Sequence, residues 1–157
     1  MSEYSKQLAD CVDEYLASQE WRYEFDGEEG IFRFGMSLDN RMHSCRMAIK
    51  VGEDVFTSYA IAPVGADADS MLAVNSFITR ANYGLKLGNF ELDHRDGELR
   101  YKSSHFCGRE LPSLEVVERV VDVSFQMWQT YGDGLLNVIF AGAEPAQEIA
   151  RIEVNTA

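Results

Sequence analysis

The chain has 157 residues, 46% hydrophobic and 11% aromatic, with 26 acidic against 14 basic side chains and a net charge of −12. That length suits one domain, residues 1–157, with a core large enough to need neither disulfides nor metal. The negative field repels phosphate backbones, no apolar run reaches a membrane span and the first residues lack a signal peptide's regions, so the expectation is a cytoplasmic protein with no nucleic-acid or membrane partner.

Residues 5–18 predict an amphipathic helix, with Leu8, Val12, Tyr15 and Leu16 at helical spacing. A strand pattern follows at 21–25, where Trp21, Tyr23 and Phe25 alternate with charges. Asp26-Gly27-Glu28-Glu29-Gly30 is turn material, and Ile31 to Leu38 is a return strand with Phe32, Phe34, Met36 and Leu38 on one face. Further strands are expected at about 44–51 and 55–61. Asp69 or Ser70 can cap the next helix, which presents Met71, Val74, Phe77, Ile78 and Ala81 on one stripe before Gly84 ends it. Pro112-Ser113 opens a long helix to Tyr131, Gly132-Asp133-Gly134 is expected to break it, and short helices at 135–141 and from Pro145 close the chain. Four consecutive strands, a hairpin and segregated helices predict an α+β fold. It is an antiparallel sheet of about six strands with N-terminal, central and C-terminal helices packed on it.

The hairpin lies between that central helix and Pro112. Two alternating runs flank Asp96-Gly97, a dipeptide suited to a two-residue type I′ turn. That turn would set Asp93 opposite Arg100, Glu91 opposite Lys102, Leu92 opposite Tyr101 and His94 opposite Leu99, with Phe90 beside Ser103.

The same stretch, Asn82-Tyr83-Gly84-Leu85 through Gly88-Asn89-Phe90-Glu91 to Glu98, Arg100-Tyr101-Lys102, resembles the signature of the YbjN family, described as sensory transduction regulators. Tyr131, Gly134-Leu135-Leu136 and Ala143-Glu144-Pro145 extend the resemblance into the tail, whereas the segment before Asp67 matches only in its strand pattern. The resemblance implies the fold of class I type III secretion chaperones, small acidic homodimers that hold extended partner chains. It brings no catalytic residues.

His43-Ser44-Cys45 and His105-Phe106-Cys107 each place a nitrogen and a sulfur two residues apart, together the ligand set of a tetrahedral zinc site. Zinc sites usually show tighter cysteine spacing, so neither a metal nor a cofactor is expected. No local signature of a cysteine enzyme surrounds Cys11, Cys45 or Cys107, and their odd number and wide spacing argue against a disulfide framework. Gly84 and Gly88 lack the context of a phosphate loop.

These readings converge on a non-enzymatic, chaperone-like or regulatory protein that binds an extended segment of a partner protein. It is expected to work as a homodimer through the second helix or the sheet. The candidate partner-binding residues are Trp21, Tyr23, Phe32, Phe34, Phe90, Leu92 and Tyr101, and the acid-rich first 30 residues could steer a basic partner. The alternative is a small-ligand sensor with a pocket between sheet and helices.

Overall fold

In the computed structural model, which describes residues 3–156, the chain runs α1 (Lys6–Ser18), β1 (Glu24–Asp26), β2 (Ile31–Ser37), β3 (Ser44–Val51), β4 (Val55–Ile61), α2 (Met71–Asn82), β5 (Asn89–Leu92), β6 (Leu99–Phe106), α3 (Leu114–Ala141) and α4 (Pro145–Thr156). The six strands form one sheet in the order β1-β2-β3-β4-β6-β5, and every pairing is antiparallel. This is the expected α+β architecture.

Side chains alternate across a strand, so each strand sorts its residues between two faces. Phe32, Phe34, Met47, Ile49, Phe56, Ala60 and Tyr101 fall on one face and are buried. α3 packs there across β3, β4 and β6, α2 packs on β5, α4 lies against α2 and α3, and α1 lies against α3. At the centre, the Phe90 ring sits 4.8 Å from both Tyr101 and Trp128. Rings of this size each remove about 150–250 Å² from water, which makes the aromatic cluster a large share of the driving force. The alternate residues, among them Arg33, Arg46, Thr57 and Lys102, stay half-buried or exposed. The sheet therefore has a covered face and an open one.

Three expectations are corrected. The first strand is only Glu24–Asp26 rather than 21–25. Trp21 is drawn off the strand line, stacking on Phe34 at 5.6 Å and meeting Tyr15 and Phe125 edge-on. Tyr23 follows it, donating a 2.7 Å hydrogen bond to Asp13 of α1. Packing against α1 and α3 wins over continued pairing with β2.

The hairpin register differs as well. Phe90 pairs with Tyr101, Glu91 with Arg100 and Leu92 with Leu99, two residues away from the expected alignment. Asp96-Gly97 is not a two-residue turn. Residues 94–97 form a longer loop, closed by Gly97 N–H donating to the Asp93 carbonyl and Asp93 N–H donating to the Glu98 carbonyl. Gly97 has φ +80°, and a Cβ there would run into the Ala66 carbonyl, so this loop requires glycine. Because the slip is even, the residues of β5 and β6 keep their expected faces, while Asp93 and His94 leave the ladder for the loop. Asp93 pairs with Arg95 at 2.7 Å instead of Arg100.

The third correction concerns α3, a single 28-residue helix that passes through Gly132 and Gly134 without a break. The glycines serve close approach. A Cβ on Gly132 would meet Asn40 Nδ2 and Met42 Sδ at 2.8 Å, and one on Gly134 would meet Ile152 Cδ1 at 2.6 Å and the Phe77 ring at 3.2 Å. At the N-terminus Ser113 caps the helix, its hydroxyl accepting from Val116 N–H, as its sequence predicts. Ser70 begins α2, but its hydroxyl bonds to Asp67 rather than to a helix N–H.

Candidate functional site

β1 is too short to cover β2. Beyond the Glu24–Arg33 pair, the edge of β2 from Phe34 to Ser37 has no strand beside it among the described residues. The segment 21–24, leaving that edge, walls a groove of about 770 Å³ that reaches over the open face to Ala48 and Ile61. Gly35 forms its bare floor, since a Cβ there would meet nothing within 4 Å.

The groove is basic in an acidic protein. Arg33, Arg46, Lys50, Arg100 and Lys102 share the open face by strand parity, five of the chain's 14 basic residues. Glu24, Asp26 and Glu91 share it with them. Glu91 accepts from Arg100 at 2.7 Å and from Lys102 at 3.2 Å. Burial pulls Glu91 upward, but these two cations outweigh it and hold the carboxyl below its ordinary range. The Arg100 guanidinium also lies 4.4 Å over the Tyr59 ring. Lys50 reaches Glu29, and Arg33 makes only a loose 3.7 Å pair with Asp26. Arg46, flanked by Gly35 and Ile61 on the adjacent strands, has no ion pair among the described residues.

The expected binding residues divide. Phe32, Phe90 and Tyr101 are 1%, 2% and 0% exposed and belong to the core, held beneath the helices by the same alternation that made them conspicuous. Phe34 is also buried, although its ring backs the groove under Trp21, and Leu92 is half-buried at the far edge. Trp21 and Tyr23 line the groove directly. Burial and then the Asp13 hydrogen bond push the Tyr23 hydroxyl up to about 12. Gly35, Arg33 and Arg46 also line the groove and are not among the residues expected from sequence. Their signal was present as basic residues at the polar positions of β2 and β3, but it becomes a patch only once the two strands are aligned.

The two His–Cys pairs do not meet. Cys45 stands where β3 faces Met36, beyond the end of β4, whereas Phe106 pairs with Val55 at the other end of β4. A strand of that length separates them by roughly 20 Å. Among the described residues no group of three or more His, Cys, Asp or Glu could hold a metal ion. Burial raises the thiols of Cys11, Cys45 and Cys107 above their ordinary value, Cys45 to about 12, so none is poised as a thiolate nucleophile.

The YbjN family model, described as "Putative bacterial sensory transduction regulator", matches residues 8–137. Among solved structures, "Crystal Structure of the ExsC-ExsE Complex" is similar, with a TM-score of 0.52 and 14% identity over 81% of this chain and 94% of that one. A likeness at that identity is one of fold. No curated protein matches. No helix among the described residues is long and apolar enough to cross a membrane.

Proposed function

The chain belongs to the YbjN family, and from that we propose that it is a non-enzymatic regulatory protein that holds an extended segment of a partner protein in the groove beside Trp21. The observation that carries this reading is the incomplete edge of β2. Its unpaired backbone adjoins an aromatic wall and a bare glycine floor, the features that accept an extended chain. The fold neighbour was solved as a two-protein complex, which supports a protein as the ligand. Space under β4 and β6 is taken up by Trp128, Phe90 and Tyr101, which favours this reading over a metabolite held between sheet and helices.

We propose further that the protein works as a homodimer through α2. Leu72 on that helix and Tyr83 at its C-cap are 84% and 90% exposed. Leu72→Glu should convert a dimer to a monomer in sedimentation equilibrium, and a wild-type monomer at tens of micromolar would end that part of the proposal.

Affinity capture with mass spectrometry, comparing wild type with Gly35→Val, tests the main reading. The valine should leave the fold intact and block the groove. A partner retained by wild type and lost by the variant, with its segment shifting Trp21 fluorescence, is the expected result. Equal capture by both proteins would overturn it.

A further inference from the structure

We propose that the segment received by this groove is acidic, its carboxylates held by Arg33 and Arg46, which deepens the reading above and rests on it. A net charge of −12 would suggest the reverse, a basic partner attracted to an acidic surface. The charge is not evenly spread. The carboxylates Asp10, Asp13, Glu14 and Glu20 lie on or just after α1, whereas the open face of the sheet concentrates cations. At the groove the local sign opposes the global one.

Pairing decides which cations are available. Arg100 and Lys102 are already engaged by Glu91, and Lys50 by Glu29. Arg46 has no such partner among the described residues, and Arg33 is held only at 3.7 Å, with 54% of its side chain exposed. Arg22, also on the wall, has no ion pair among the described residues. Guanidinium groups form paired hydrogen bonds with carboxylates, so such positions select acidic side chains rather than merely attract them. Between them, Gly35, Ala48 and Ile61 leave an apolar strip. The fitting ligand is an extended segment whose acidic residues alternate with an aliphatic or aromatic one, matching the period of the strands beneath.

The acidic remainder gives this arrangement its selectivity. The surrounding negative charge disfavours an acidic segment elsewhere, and the cations of the open face register it. Nucleic acid would find the same cations, but its denser charge meets the full repulsion of the surrounding surface.

The test uses the whole protein and peptides matched in apolar content but differing in charge, Glu-rich, Gln/Ser-rich and Lys-rich, with a single-stranded oligonucleotide alongside. Binding is followed through Trp21 fluorescence and calorimetry. The Glu-rich peptide should bind tightest, weaken as salt is added, and lose about tenfold in affinity with Arg46→Glu or with Arg22→Glu. Both arginines are surface residues, and unchanged thermal melts would show that the variants fold. Preference for the Gln/Ser-rich or Lys-rich peptide, insensitive to Arg46→Glu but lost with Gly35→Val, would overturn the acidic selectivity and leave the groove reading standing. Failure of every peptide would bring down the groove reading itself. Tighter binding of the oligonucleotide, or a change of oligomeric state with Arg46→Glu, would assign the face to nucleic acid or to a second copy and also overturn the proposal.

Discussion

The indole Nε1 of Trp128 on α3 donates a 2.8 Å hydrogen bond to the carbonyl of Ala60 on β4, with both residues 0% exposed. This bond pins the long helix to the middle of the sheet and orients the ring that Phe90 packs against. It also sets the height of the helix layer beneath the groove-bearing strands.

Trp128→Phe removes that donor and leaves a gap where the second ring was. The expected loss is about 2–4 kcal/mol in chemical denaturation, with retained secondary structure. A loss below about 1 kcal/mol would show that neither the bond nor the packing anchors α3.

Two carboxylates should shape the pH dependence in opposite directions. Asp122 accepts a 2.5 Å bond from Tyr15, yet burial, with Glu118 adding to it, raises its carboxyl above the ordinary 3.8. The folded form then binds the proton more tightly than the unfolded chain, so this contribution is fully present below 3.8 and lost as pH rises through the raised value. Asp93 is held down to about 2, first by the Arg95 side chain, and its contribution is present above 3.8 and lost as pH falls through about 2. Asp122→Asn should therefore raise the Tm at neutral pH and not in acid, while Asp93→Asn should lower it at neutral pH and converge with wild type in strong acid. Thermal melts across that range decide, and parallel curves for either variant would contradict its assignment.

The glycines inside α3 offer a contest between helix propensity and space. Alanine gains about 1 kcal/mol over glycine in a helix interior. At Gly132 it meets Asn40, whose side chain is fixed by hydrogen bonds to the Trp128 and Gln129 carbonyls. Gly132→Ala should therefore be net destabilising, by about 1–3 kcal/mol. Gly134→Ala first meets the end of the flexible Ile152 side chain and should cost less. The reverse order in denaturant titrations would refute this account.

Much of this architecture is legible in the sequence because it rests on period. The alternation in 31–37, 44–51 and 55–61 gives β2, β3 and β4 with their buried faces, and the helical stripe at Val74, Phe77, Ile78 and Ala81 gives α2. What escaped depends on contacts between distant segments. Asp96-Gly97 is locally a good two-residue turn, but the backbone of Ala66 packs against Gly97, and the longer loop fits beside it. Gly132 and Gly134 look like breakers until Met42 and Phe77 are seen lying on them. The groove was hidden for the same reason. Trp21 and Tyr23 are candidates from the sequence, but the arginines and Gly35 that line the groove with them come from other strands, and Phe32, Phe90 and Tyr101 carry the same aromatic signal for a different purpose.

The one-sided sheet has a consequence during synthesis. β1 to β4 are contiguous and joined by short turns, so they can pair as soon as they leave the ribosome. The helix that packs on β3 and β4 begins at Leu114, roughly fifty residues after β4 ends, a delay of several seconds at ordinary elongation rates. Throughout that interval Met47, Ile49 and Phe56 lack the helix that packs over β3 and β4 in the finished fold. A nascent chain stalled before α3 should therefore be a strong client for holdase chaperones, and one extended past Ala141 should not.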